Sequence, residues 1–262
     1  MDKKVYFVGA GPGNVEYITL KGYRLLQEAD VVVYTGSLIN HGLLGYCKEG
    51  AMLLNSAGMN LNEIIDALVG GATEGKNVVR LQTGDFSLYG SIREQIECLN
   101  ERGIGYELIP GVSSFLGAAS ELQAEYTVPG ISQSLIITRL EGRTPVPENE
   151  SLEKLAAIGT SMAIFLSAAM IDKVCEKLLL GAYTEKTPIS IVYKATWDEQ
   201  IIIKGTIGDI AQKAAESGIT KTALILVGDF LGKDYNYSKL YDKSFSHDFR
   251  AAQDSLSAKD KL

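Results

Sequence analysis

Histidine is almost missing from this chain: His41 and His247 are the only two among 262 residues. That scarcity nearly excludes both a multi-histidine metal centre and a histidine-based catalytic triad. Cysteine is scarce as well. Cys47, Cys98 and Cys175 are odd in number, far apart and form no CxxC pair. Neither a disulfide framework nor a zinc site is expected, and three structural thiols in a reducing compartment is the better reading. Long apolar runs are absent too. The longest uncharged one, residues 162–171, is about half of what a bilayer span requires. Behind the basic Lys3-Lys4 start, Val5–Val8 is too short for a signal peptide, so a cytoplasmic protein is expected. Basic charge is not in excess: 25 Lys and Arg face 32 Asp and Glu, a net of −7. Bulk binding to nucleic acid or to an anionic membrane is therefore not expected.

What is present is an ordinary globular balance, 46% apolar and 22% charged, long enough for one large α/β domain or two modest ones. Strand-like and helix-like segments alternate through the first half, which implies a mostly parallel sheet. Val5–Gly9 reads as a strand. A helix from about Thr19 carries Leu20, Tyr23, Leu26 and Ala29 on one face, and the β-branched run Val31–Tyr34 follows as a strand. A short strand is expected at Ala51–Leu54. Asn60 with Glu63 has the spacing of a capping box, opening a helix whose apolar face is Leu61, Ile64, Ile65, Leu68 and Val69, with Gly70-Gly71 as its stop. Val78–Leu81 reads as a strand, Tyr89–Arg102 as a helix ended by Gly103, and Tyr106–Ile109 as a further strand. In the second half, Leu135–Thr138, Met162–Leu166 and Ala223–Val227 read as strands, and Ile189–Tyr193 with Gln200–Ile203 as a hairpin. Ser151 is expected to cap a helix, Met170–Leu180 to form another, and Thr206-x-x-Asp209 to open a third with Ile207, Ile210, Ala211, Ala214 and Ala215 inward. The division expected is 1–112 and 113–232 as two α/β domains and 233–262 as a polar surface tail, partly disordered near 255–262.

Several small-residue loops follow these strands, where open α/β sheets form ligand clefts. Gly9-Ala10-Gly11-Pro12-Gly13 invites a dinucleotide reading, which fails: Asn14 stands where the third glycine belongs, and Pro12 removes an N–H a phosphate would use. A tight turn that lets a ligand approach the backbone, or a mere turn, are the alternatives left. Thr83-Gly84-Asp85 offers a carboxylate for ribose hydroxyls or a positive centre, against the plainer reading of Asp85 as an Asx-turn. Pro110-Gly111-Val112-Ser113-Ser114 offers two hydroxyls and a helix start. Arg139-Leu140-Glu141-Gly142-Arg143 puts two arginines around a carboxylate, either for an anionic ligand or as a solvated turn.

Taken together, the sequence resembles the tetrapyrrole (corrin/porphyrin) methyltransferases. The resemblance rests on Val8–Gly13 with Thr19-Leu20-Lys21, Ala29–Tyr34, Gly84-Asp85 with Tyr89-Gly90, Pro110–Ser114, Ile164–Ser167 and Ala195-Thr196, and covers about residues 4–230. Within that family it is similar to the subgroup that methylates C-11 of precorrin-4 or cobalt-precorrin-4 in cobalamin biosynthesis. That likeness lies in Tyr34–Leu38, Thr138–Glu148, and the tail segments Ser238–Asp242 and Phe245-Ser246-His247. Gln82 and Phe86 depart from it, standing where the subgroup carries His and Pro. The resemblance implies a fold with a mainly parallel sheet followed by a mixed one. It also implies S-adenosylmethionine as methyl donor, no protein-bound metal, an anionic tetrapyrrole substrate and a homodimer. The donor site it implies comprises Pro12, Thr83, Gly84, Asp85, Leu88, Ser113, Ser114, Thr138, Leu166, Ser167, Ala195 and Thr196. Arg139 and Arg143 are the expected carboxylate contacts of the substrate. No general base is assigned; Asp85, Tyr89 and Glu141 are candidates. Methyl transfer to RNA or to a protein side chain is the rival activity, against which the net acidity weighs, and a non-catalytic binder is the other alternative.

Overall fold

A computed structural model describes residues 4–233 and 235–252. The expected disorder near 255–262 falls outside the described residues. Two five-stranded sheets follow one another along the chain. The first is built from β1 (Lys4–Gly9), β2 (Val31–Tyr34), β3 (Met52–Asn55), β4 (Val78–Gln82) and β5 (Gly105–Ile109), in the order β3-β2-β4-β1-β5. All its pairings are parallel. Parallel neighbours need crossover helices, and α1 (Leu20–Glu28), α2 (Leu61–Thr73) and α3 (Arg93–Glu101) supply them. Leu26 of α1 packs with Val8, Val32 and Leu81 on one face. Ile65 and Leu68 of α2 and Leu99 of α3 pack with Val5, Phe7 and Val33 on the other. The helix after β1 and the helix after β4 thus lie on opposite faces. Their loops part and leave a crevice at the carboxyl ends of these two neighbouring strands, as open α/β sheets do where strand order reverses.

The second sheet holds β6 (Leu135–Arg139), β7 (Ser161–Phe165), β8 (Pro188–Tyr193), β9 (Ile201–Thr206) and β10 (Ala223–Val227), in the order β6-β7-β10-β8-β9. Only β6 and β7 are parallel; the other pairings are antiparallel, including the expected β8–β9 hairpin. α5 (Leu152–Ala156), α6 (Ile171–Leu179) and α7 (Ile210–Ser217) bury their apolar faces against one side. α4 (Ser114–Leu122) places Ala118, Ala119 and Leu122 on the other. The mainly parallel sheet followed by a mixed one is the architecture expected from the sequence.

Local expectations meet mixed outcomes. The capping box at α2 is present: Asn60 accepts from the Glu63 N–H at 3.1 Å and Glu63 accepts from the Asn60 N–H at 2.7 Å. Gly70-Gly71 does not stop that helix, which runs on to Thr73. Gly71 instead faces β4, where a Cβ would stand 2.8 Å from Val78 Cγ2. The helix expected from Tyr89 begins only at Arg93, because Tyr89 (φ 57°) and Ser91 (φ 47°) are left-handed. Of the expected α1 face, Leu26 and Ala29 are buried but Leu20 is exposed, and Gly22 is buried with them. Asp209 is the N-cap residue of α7 rather than an inner position, and Ala215 is exposed.

Candidate active site

The glycine loops after β1, β4 and β5 converge. Gly11 and Gly84 form a two-bond bridge, N–H to carbonyl in both directions, at 3.2 and 3.1 Å. A Cβ on Gly111 would stand 2.2 Å from the Gly84 carbonyl oxygen and 2.7 Å from Gly9 Cα. Only hydrogen fits there, so these glycines let three strand ends cross at backbone contact. Asp85 fastens the crossing. Its Oδ2 accepts from the Gly111 N–H at 2.8 Å, and its Oδ1 accepts from the Ser87 N–H at 2.9 Å and from the Ser87 hydroxyl. Asp85 is therefore both the Asx-turn of the plain reading and a brace between two cleft loops.

The loop after β8 closes the crossing from the second sheet. Thr196 Oγ1 accepts from the Asn14 N–H at 2.9 Å, and the Trp197 indole N–H donates to the Pro12 carbonyl at 3.1 Å. The first of these bonds occupies the Asn14 N–H, a donor that a dinucleotide phosphate would need, which agrees with the failure of that motif. Between the two sheets lies a cleft of ≈ 500 Å³. Among the described residues, five of the seven non-glycine residues with positive φ line it: Tyr89, Ser91, Leu166, Lys194 and Thr222. Backbone held in this region persists only where its surroundings over-determine it, and it gathers at ligand sites. Leu166 is 70% exposed at the wall, and the Tyr89 and Phe165 rings meet at 5.3 Å.

Of the residues expected to hold the methyl donor, Pro12, Thr83, Gly84, Asp85, Leu88, Ser113, Ser114, Leu166 and Ala195 all stand in the cleft wall. Thr138, Ser167 and Thr196 do not. Thr138 is buried at the end of β6. Ser167 is fully buried; its hydroxyl donates to the Phe165 carbonyl at 2.7 Å and accepts from the Leu140 N–H at 2.9 Å, tying the ends of β6 and β7. Thr196 braces the first glycine loop as described. These three support the wall from behind.

The charged candidates separate. Tyr89 is in the wall, and burial pushes its phenol above the usual range. Glu141 and Arg143 are exposed on the loop after β6, outside the wall. Arg139 directs its guanidinium onto that loop, donating to the carbonyls of Thr144 at 3.1 Å and Pro145 at 2.6 Å. One wall residue was overlooked. Arg80, in the middle of β4, is 4% exposed, and burial lowers its guanidinium to about 10, still charged at neutral pH. The signal was there to be seen: Val78-Val79-Arg80-Leu81 sets one charge inside an apolar parallel strand. The cleft wall holds no cysteine and no histidine.

A methyl donor of the S-adenosylmethionine kind fits this wall. Leu166, Val192, Ala195 and Leu224 give the wall apolar surface, and Thr83, Ser113 and Ser114 bring hydroxyl side chains to it. Comparison with known proteins bears on the same cleft. The family model for tetrapyrrole (corrin/porphyrin) methylases matches residues 4–211. The cobalt-precorrin-4 C(11)-methyltransferase of Methanocaldococcus jannaschii is 54% identical over 250 residues, 95% of this chain and 96% of that protein. The X-ray structure of a cobalt-precorrin-4 methyltransferase, described as a cobalamin biosynthetic enzyme, superposes with a TM-score of 0.86 at 43% identity, covering 88% of this chain and 97% of the other. The uroporphyrin-III C-methyltransferase of Thermus thermophilus, solved with S-adenosylhomocysteine, gives a TM-score of 0.74 at 26% identity, covering 87% and 93%. With a family model spanning most of its length and a relative alike from end to end, the chain belongs to the tetrapyrrole (corrin/porphyrin) methylases.

Proposed function

We propose that this protein is an S-adenosylmethionine-dependent C-methyltransferase that methylates C-11 of precorrin-4 or cobalt-precorrin-4. The observation that carries the reading is likeness over nearly the whole chain, 54% across 95% of it, to a protein of that activity. The methyl donor brings an already activated methyl group on a sulfonium, so the protein supplies neither nucleophile nor strong base. Its work is alignment, which can contribute about 7–11 kcal/mol to lowering a barrier. The Gly9–Gly84–Gly111 crossing and the Asp85 brace fix the loops that would hold the donor. Leu166, Val192 and Leu224 give the wall apolar surface. Tyr89, kept protonated by its surroundings, is available to donate a hydrogen bond rather than to take a proton.

Among the expected site residues, the nine in the wall would touch the donor, and Thr138, Ser167 and Thr196 would position them. Arg139 shapes the loop that presents Arg143 to the carboxylates of the substrate. The division near residue 112 would set donor-binding loops from both parts against each other. The protein is read as cytoplasmic; no helix among the described residues is long and apolar enough to cross a membrane. It is also read as a two-fold homodimer, a reading supported by the exposed aromatic rings of Tyr237, Tyr241 and Phe249. Sedimentation at micromolar concentration is expected to show a dimer, and a monomer there would contradict it. The activity is tested by supplying isotopically labelled methyl donor with metal-free and cobalt-loaded substrate side by side. Label is expected at C-11 of at least one, and no transfer to either overturns the reading.

A further inference from the structure

We infer that Arg80 and Gln82 are a receiving site in the cleft wall for a carboxylate of the bound ligand. The two stand two residues apart on β4, and so on one face of the sheet. Both are 4% exposed, and both belong to the wall. Arg80 is the only Lys, Arg, Asp or Glu among the described residues that is buried. It has three partners, and all are neutral. Its Nε donates to Gln95 Oε1 at 3.0 Å; its Nη1 donates to the Val33 carbonyl at 3.2 Å and to Ser56 Oγ at 3.0 Å. Its Nη2 donates to nothing among the described residues. Gln95 is in turn fixed by its amide, which donates to the Ser91 carbonyl at 2.8 Å. These bonds aim the guanidinium and leave its charge without a counter-charge.

Gln82 tells the same story independently. Its Nε2 is buried and has no hydrogen-bond partner among the described residues. Two donor groups on one strand, Arg80 Nη2 and Gln82 Nε2, therefore lack an acceptor among the described residues, a costly arrangement unless something completes it. No described residue completes it. Asp85, in the same wall, has its oxygens on Gly111 and Ser87, and Glu94 makes no ion pair with Arg80. The missing partner must be an acceptor with negative charge, brought in by the ligand. A carboxylate suits it, since a guanidinium edge receives two oxygens along parallel hydrogen bonds.

The chemical identity of the ligand rests on the function proposed above, which offers two carriers of that group. One is the amino-acid carboxylate of the methyl donor, and the other is a peripheral carboxylate of the tetrapyrrole. The test uses Gln82→Leu, close in size and without a donor, and Arg80→Lys, which keeps the charge and loses the fork. Calorimetry measures binding of S-adenosylhomocysteine, of 5′-methylthioadenosine, which lacks the carboxylate, and of uroporphyrin, a stable polycarboxylate. The thermal midpoint of each ligand-free protein is recorded alongside. Gln82→Leu is expected to leave that midpoint unchanged or raise it, because an orphaned donor is gone, yet to weaken a carboxylate ligand at least fivefold. Arg80→Lys is expected to weaken the same ligand at least tenfold. Loss confined to S-adenosylhomocysteine, with methylthioadenosine unchanged, supports the site and assigns it to the donor. Loss confined to uroporphyrin supports it and assigns it to the tetrapyrrole. Folded variants that bind both carboxylate ligands within twofold of the parent overturn the inference, even in an enzyme that transfers methyl. Failure of the parent to transfer methyl overturns the proposed function, while the ratio of parent to variant affinities still decides the site.

Discussion

Gly9, Gly84 and Gly111 meet just where three adjacent strands end: Gly9 and Gly111 are small because of each other and of the Gly84 carbonyl, while Gly84 holds a left-handed φ of 58°. The motif reading placed these glycines near a ligand, which is where they are. It could not show that their first neighbour is backbone, because a close approach between β1, β4 and β5 joins residues far apart in sequence. The consequence is a stability effect separable from binding. Gly111→Ala would set a methyl against the Gly84 carbonyl at 2.2 Å, with backbone on both sides and no flexible side chain to yield. Overpacking of this kind costs about 1–3 kcal/mol, so the urea midpoint is expected to fall by that equivalent; an unchanged midpoint would show that the crossing can open at no cost. Asp85 makes the companion case. Asp85→Asn keeps one accepting oxygen where Asp85 uses two, so either the Gly111 N–H or the Ser87 donors lose their acceptor. A buried or half-buried donor left unmade costs about 1–3 kcal/mol. The expected outcome is a weaker affinity for S-adenosylhomocysteine together with a lower midpoint. Loss of affinity at unchanged stability would instead make Asp85 a direct ligand contact.

At the scale of elements, capping and periodicity were legible wherever the signal was local. The Asn60–Glu63 box was read from spacing alone and both of its bonds are made. Asn60→Ala is expected to cost about 1 kcal/mol, seen as earlier loss of helix signal on heating. Where tertiary packing decides, the sequence misled. Gly70-Gly71 looked like a stop, yet Gly71 is small so that α2 can lie close on Val78. Tyr89–Ile92 looked helical, yet the cleft holds two of its residues left-handed. The same sheet carries a pH-dependent clamp. Glu107 on β5 pairs with Lys4 of β1 at 2.6 Å and with Lys21 of α1. The hydrogen bonds from Lys21 and then Lys4 hold its carboxyl down to about 2, against an ordinary value of 4.5. A carboxyl lowered on folding adds stability above its unfolded value, and that stability is lost as pH falls toward the folded one. Glu107→Gln is expected to be less stable than the parent at pH 7, with the gap closing between pH 4.5 and about 2. Because the group is partly exposed, the gap should also shrink in high salt. A gap independent of pH would mean that the side chain contributes packing rather than charge.

At the scale of the whole molecule, the two sheets were legible and their meeting was not. Alternating strands and helices announced a parallel sheet, and the close pair of strands at 189–203 announced a hairpin. Nothing local could say that the Gly13 loop would rest on the loop after β8, since that contact spans more than 180 residues. The family resemblance supplied a cleft between two parts, and the structure supplies its latch. Trp197, the only tryptophan, donates to Pro12 and lies under Lys194, whose Nζ is 4.8 Å from the ring. It is also part of the cleft wall, so it reports on both latch and ligand. A Cβ on Gly13 would stand 2.0 Å from the indole Cδ1 and 2.7 Å from the Ala195 carbonyl oxygen. Gly13→Ala must therefore displace the indole or the loop, breaking its bond to Pro12. Displaced, the ring would meet more water, and its emission is expected to move to longer wavelength in the ligand-free protein. Alignment of methyl donor and acceptor depends on the loops the latch joins, and a shift of about 1 Å can cost on the order of 100-fold. The expected kinetic result is a fall in kcat/KM of at least tenfold, with a much smaller change in the thermal midpoint. Each sheet keeps its own buried core, so loosening the latch should spare both. Parent-like emission and turnover in Gly13→Ala would place the alignment of the two sheets elsewhere.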